Sequence, residues 1–370
     1  MAVAEETDCP PRPARFVAGS PASRRPRLVR RYVGTVGGQP ATALLEWQHP
    51  ASVTGTFYLH RGTVTYSLES SLARHGQIVL GVYQENLDFR QQGEWLLRGR
   101  LGSDLAGTWH TPTKTQPVQL RESYAGAARL GIQTLHLQGG PSLVPRQDDA
   151  NCEFVPRLSH DFWQLLAPLA VPAALRRQLS PPLAARRRLM LSRLEGDGTA
   201  EYSLHVRLND FGLLSYETIN TSDPMGGRPG YATTGSPLID LTGGRQWPVR
   251  RLFQPNFELP LRRLITWHLL HDGQFADMGS EWKWAEKPAS RHAADTAFSN
   301  SLWLLRDLAP RPEAYVFTSE GLELTYWHGS LVAFGGGSLH DVVLVPYREL
   351  RPLVRPGTPL ARMLLARGMW

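Results

Sequence analysis

Cysteine is nearly absent: Cys9 and Cys152 are the only two in 370 residues. Two thiols without Cys-x-x-Cys spacing exclude a zinc ribbon or a thioredoxin-type redox site. A disulfide in an exported chain and two unrelated thiols both stay open. No apolar run reaches the roughly 20 residues of a membrane-spanning helix, and the first residues show no apolar leader core. The patterns His-Glu-x-x-His, Gly-x-Ser-x-Gly and Gly-x-x-x-x-Gly-Lys-Ser/Thr do not occur. Their absence removes the signatures of zinc peptidases, α/β-hydrolases and P-loop enzymes. Gly335-Gly336-Gly337 runs into Ser338 with no lysine behind it, so it reads as a loop, not a phosphate cradle.

A concentrated basic reading element is also missing. The net charge is +7 and the pI about 9.6. The excess sits on the first half, because residues 197–370 carry seventeen Lys+Arg against eighteen acids. Without a recognition motif, this spread speaks against nucleic acid as a partner. The Arg186-Arg187-Arg188 run reads most simply as a solvated helix face.

What is present suits two domains. Residues 1–28, rich in proline and arginine, read as a disordered tail. Residues 29–124 read as eight short strands, at 29–36, 41–47, 54–60, 63–68, 77–83, 95–101, 105–111 and 118–122. Gly37-Gly38, His60-Arg61-Gly62 and Gly102-Ser103-Asp104 supply turns between them. This spacing predicts an antiparallel β-barrel or sandwich. Gly-Thr recurs at 34–35, 55–56, 62–63 and 107–108, read as turn-to-strand chemistry. Residues 125–150 read as a connection, with a strand expected at 132–137.

Residues 151–370 alternate helices and strands, as an α+β domain with an antiparallel sheet does. Ser159 is expected to cap a helix through Leu166, and Ser180-Pro181 to open one through Leu194. Strands are expected at 201–208 and 212–220, split by a turn at Asn209-Asp210. Further strands are expected at 238–241, 315–317, 322–327 and 341–346. Helices are expected at 261–271, 292–308 and 348–353.

Four stretches carry a family resemblance. Leu213-Leu214-Ser215-Tyr216, Asp240-Leu241-Thr242-Gly243-Gly244-Arg245 with Arg251-Leu252-Phe253, Phe317-Thr318-Ser319-Glu320-Gly321-Leu322, and Val343-Leu344-Val345-Pro346-Tyr347-Arg348-Glu349-Leu350 occur in this order. Together they resemble the extracellular domain of RsiV-type anti-sigma factors, which sense lysozyme. The resemblance covers roughly residues 151–360. It implies a non-catalytic cell-envelope binding protein, periplasmic or extracellular, that recognises a protein or cell-wall component and needs no cofactor. A cytoplasmic location is the alternative. Lysozyme is the partner the resemblance implies. A chain of pI about 9.6 does not steer a basic lysozyme toward itself, so charge points to an anionic envelope ligand.

The residues expected to bind are Met225, Arg228, Tyr231, Trp327 and His328. Where the family carries Gly-Gly-x-His, this chain reads Gly226-Gly227-Arg228-Pro229-Gly230-Tyr231. Arginine offers a planar fork for carboxylates and tyrosine a rigid amphipathic ring. The rival reading is a cell-wall or polysaccharide hydrolase using His268, His271 and Asp272. Two histidines three apart share a helix face, but the spacing matches no metal motif. On the binding reading, one of them packs and the other faces solvent.

Overall fold

The computed structural model describes residues 15–17, 26–49, 52–62, 64–71, 77–84, 90–99, 102–138, 158–166, 172–192, 198–224, 230–271, 315–327 and 340–370. Cys9, Cys152, Met225, Arg228, His328 and Asp272, with the helix expected at 292–308, lie outside them.

Alternation builds the first unit. In β2 (Arg27–Val36), β3 (Gln39–His49), β4 (Ser52–Leu59), β5 (Thr65–Ser71), β6 (Gln77–Gln84), β7 (Arg90–Arg98), β8 (Leu105–His110) and β9 (Thr115–Glu122), each strand pairs antiparallel with the next. Pairing of Tyr32 with Glu122 through Val36 with Val118 closes the ring. The result is an eight-stranded barrel, one of the two architectures expected. Gly37 and Gly38, at φ 60° and 78°, form the two-residue left-handed turn that matches strand twist.

The barrel interior is full. Phe57 stacks on Tyr66 at 4.7 Å, leans on Trp95 at 4.4 Å and meets Trp109 edge-on at 5.5 Å. Ala43, Leu45, Leu68, Leu80, Val82, Leu97 and Val118 close the gaps around them. An eight-stranded barrel is just wide enough for side chains to fill it, so its inside is a core and not a lumen.

Three of the four Gly-Thr pairs correct the turn reading. Gly34, Gly55 and Gly107 lie inside strands. A Cβ there would come within 1.9 Å of the Gln119 carbonyl, 2.0 Å of the Leu44 carbonyl and 1.9 Å of the Leu96 carbonyl. They let neighbouring strands approach where the barrel wall curves.

The barrel wall runs on into a second sheet. β2 is long enough to serve both: its first residues pair with β10 (Leu130–Gln138) and its last with β9. β10 lies inside the segment read as a connection and contains the strand expected there. Within the N-terminal stretch, β1 (Arg15–Val17) pairs with the far end of β10. From β10 the sheet continues through β11 (Leu158–Leu165), β12 (Gly198–Asp210), β13 (Leu213–Pro224), β15 (Leu238–Asp240) and β16 (Arg245–Trp247). β14 (Gly230–Gly235) pairs with the outer half of β13.

β11 overturns the helix expected after Ser159. It lies between β10, antiparallel, and β12, parallel, with His160, Asp161, Phe162 and Trp163 all buried. A short apolar run fits a buried strand as well as a helix, and pairing on both edges decides. The parallel step from β11 to β12 carries α1 (Ala173–Leu179) and α2 (Leu183–Ser192), as such a crossover requires. A second correction concerns the next hairpin. Its turn is Phe211-Gly212, at φ 54° and 76°, not Asn209-Asp210, which both belong to β12.

A small antiparallel sheet completes the fold: β17 (Tyr315–Phe317), β18 (Gly321–Trp327) and β19 (His340–Pro346). Around it lie α3 (Val249–Leu252), α4 (Glu258–His271), α5 (Tyr347–Leu350), a 3-10 turn at Arg351–Leu353 and α6 (Pro359–Ala366). Their shared core includes Phe253, Leu261, Ile265, Phe317, Leu324, Val345, Leu360 and Leu364.

Candidate functional site

The outer face of the barrel meets the second sheet through polar side chains. Strand alternation sends Ala41, Ala43 and Leu45 of β3 inward, so Thr42 and Glu46 point out. By the same rule β4 turns Thr56 and Tyr58 outward. Asp210, at the end of β12, is only 2% exposed and faces this surface. Its carboxylate accepts hydrogen bonds from Arg31, from the Thr42 hydroxyl at 2.6 Å and from the Tyr58 hydroxyl at 2.5 Å. The backbone N–H of Phe211 donates a fourth at 2.7 Å. Burial, and then the Asp210 charge, push the Tyr58 phenol well above its ordinary value. Asp161 has a similar role at the other end of the contact. It accepts from Arg27 at 2.8 Å and from Thr134 at 2.5 Å, while Arg27 also reaches Glu46 at 3.0 Å.

Arg367, just past α6, is a third tie. Its guanidinium donates to the carbonyls of His60 at 3.0 Å and Gly62 at 3.1 Å and to that of Ser319. It also lies 5.3 Å from the Tyr58 ring. The Thr318-Ser319-Glu320 turn comes up against β5: the Thr65 N–H donates to Glu320 and the two hydroxyls of Thr65 and Ser319 touch. Tyr347 holds the turn from behind, donating to the Thr318 carbonyl at 2.7 Å.

These contacts frame a small, partly open surface cleft of about 20 Å³, lined by Thr56 and Thr65 of the barrel and by Val206, Arg207, Thr318, Ser319, Glu320 and Glu323. Arg207 spans it, donating to both Glu323 oxygens at 2.7 and 2.5 Å, with Glu217 at 3.7 Å. The lining is one guanidinium, carboxylates, hydroxyls and a single aliphatic side chain. Among the described residues, the lining has no imidazole, thiol or amine. Such a set is equipped to exchange hydrogen bonds with a polar ligand.

Of the residues expected to bind, the two that are described fall elsewhere. Tyr231 is on β14, opposite Thr221, and Trp327 ends β18, opposite His340. β17 lies between these two strands: a Cβ on Gly235 of β14 would sit 1.9 Å from the Tyr315 carbonyl, and Tyr315 pairs with Leu324 of β18. His268 of the rival cluster is buried on α4, with its Nε2 3.2 Å from Glu349 of α5. His271 closes α4.

Sequence reading missed the cleft. Thr65 and Glu320 are 255 residues apart, and no local pattern announces their meeting. The one available signal was the Phe317–Leu322 stretch of the resemblance, whose polar centre is buried at Thr318, Ser319 and Glu320. Buried polar residues in a hairpin tip ask for a partner.

No protein-family model matches this chain, and no curated protein matches it. Two solved structures are similar over 64% of it and 98% of their own length. One, from Bacteroides fragilis, is 13% identical with a TM-score of 0.42. The other, from Pseudomonas aeruginosa, is 17% identical with a TM-score of 0.37. Both are described as DUF3298 family proteins. Among the described residues, no helix is long and apolar enough to cross a membrane.

Proposed function

We propose that the chain is a non-catalytic binding protein of the cell envelope, and that the cleft between barrel and second sheet is a recognition surface. The observation that carries this reading is the cleft itself. It opens where two sheets and a hairpin tip converge, and pockets at such junctions commonly hold ligands. Ion pairs already orient its donors and acceptors, which lowers the cost of ordering them on binding. One guanidinium among carboxylates and hydroxyls suits a glycan or peptide better than a free anion. Cell-wall material offers both chemistries, and the resemblance to RsiV-type domains points to the same compartment. Lysozyme is the alternative partner, and the pI of about 9.6 weighs against a basic one.

The test is retention of the full chain on isolated cell-wall sacculi. Thr56→Trp fills the cleft from the barrel side without touching Asp210. It is expected to lower retention at least about tenfold, equivalent to roughly 1.4 kcal/mol. Unchanged retention in the folded variant would remove the cleft from the account. Tight, salt-insensitive capture of a basic lysozyme would replace the partner.

A further inference from the structure

We propose that α1 and α2 together form a docking face for the surface of an anionic lipid bilayer. The inference goes beyond the cleft reading and does not depend on it. Residues 172–192 contain five arginines, Arg176, Arg177, Arg186, Arg187 and Arg188, and no acid. The structure sorts them. Arg186 turns inward and is buried, donating to the Pro181 carbonyl at 2.6 Å, Gln133 at 2.8 Å and the Trp163 carbonyl at 3.1 Å. Met190, one turn on, is buried beside it, so this side of α2 is fixed against the sheet. Leu175 and Leu179 anchor α1 in the same way.

At 100° per residue, Leu183, Arg187 and Leu191 form a stripe along one flank of α2, about 80° round from Arg186 and Met190, and Ala184 and Arg188 continue it to the far side. All five are exposed. Leu183 is 64% and Leu191 49% exposed. Arg176 and Arg177 are exposed on α1. A solvated face accounts for the arginines but not for leucines four residues either side of Arg187. A nucleic-acid duplex would take the arginines and leave the leucines in water. An anionic headgroup layer takes both. Arginine heads reach lipid phosphates while their stems lie along apolar surface, and leucines enter the boundary with the acyl chains.

The experiment sediments the full chain with vesicles of phosphatidylcholine alone and of phosphatidylcholine mixed with phosphatidylglycerol. Retention is expected on the mixed vesicles only, falling as salt rises. Each near-surface arginine contributes about fivefold to partitioning, so Arg177→Glu with Arg188→Glu should lower it at least tenfold. Leu183→Ser with Leu191→Ser should also lower it, and both variants should keep the parent unfolding midpoint. Three results would each overturn the proposal: no retention of the unaltered chain on mixed vesicles, retention unchanged in both variants, or binding to duplex DNA that the leucine variant leaves intact. Loss of sacculus binding with vesicle binding preserved would touch the cleft reading alone.

Discussion

Asp210 brings a negative charge into a place with almost no water, and four donors meet it there. Removing it leaves Arg31 buried and uncompensated. Breaking a buried pair in this way costs about 3–5 kcal/mol, so Asp210→Ala should shift urea unfolding by about that amount. Tyr58→Phe deletes one donor and should cost less, about 1–3 kcal/mol. His60 sits at the same joint, its Nε2 2.9 Å from the Thr42 hydroxyl. Burial lowers its pKa from the ordinary 6.5, Asp210 opposes the shift, and Arg367 and Arg31 add to it. Below that ordinary value the unfolded chain binds the proton more readily than the folded one. The stability His60 contributes is therefore complete above about pH 6.5 and is lost as pH falls toward the lower folded value. The unfolding midpoint should drop between about pH 7.5 and about 5.5, and His60→Asn should flatten that drop. An equal drop in the variant would place the effect on other histidines.

The elements show how far local pattern carries. All eight barrel strands were legible, because period-two alternation between tight turns has one reading. The strands at 238–240, 315–317, 321–327 and 340–346 and the helix ending at His271 were legible for similar reasons. β11 was not, since its apolar run fits either period and only its neighbours decide. The Phe211-Gly212 turn was hidden because a phenylalanine at φ 54° is rare, while Asn-Asp is common turn chemistry. α6 was legible and overlooked: Thr358-Pro359 repeats the cap-and-proline signature read at Ser180-Pro181, and the Thr358 hydroxyl accepts from the Ala361 N–H. Of the candidate cleft only the polar Thr318-Ser319-Glu320 tip left a trace in the sequence, because its walls come from strands far apart in the chain. The buried glycines give a test at this scale. Gly55→Ala drives a methyl onto the Leu44 carbonyl, and overpacking of this kind costs about 1–3 kcal/mol. A neutral Gly55→Ala in urea unfolding would mean the barrel wall is not that tight.

For the whole molecule, β2 matters most. It is a barrel stave at one end and a partner of β10 at the other, and Asp210, Asp161 and Arg367 tie the same two parts at three more points. Sequence reading expects separable domains joined at 125–150. With these ties in place, a protease cut between residues 139 and 150 should leave the fragments co-eluting on size exclusion until a denaturant is added. Joining the parts in this way is what creates the cleft, and the central claim is that the cleft binds and does not catalyse. The most direct measurement incubates the full chain with purified sacculi and follows two readouts together, protein retained on the pellet and soluble fragments released. Retention is expected, lowered by Thr56→Trp, with no fragments released above the protein-free control. Release of fragments, abolished by His268→Ala in a folded chain, would contradict the claim.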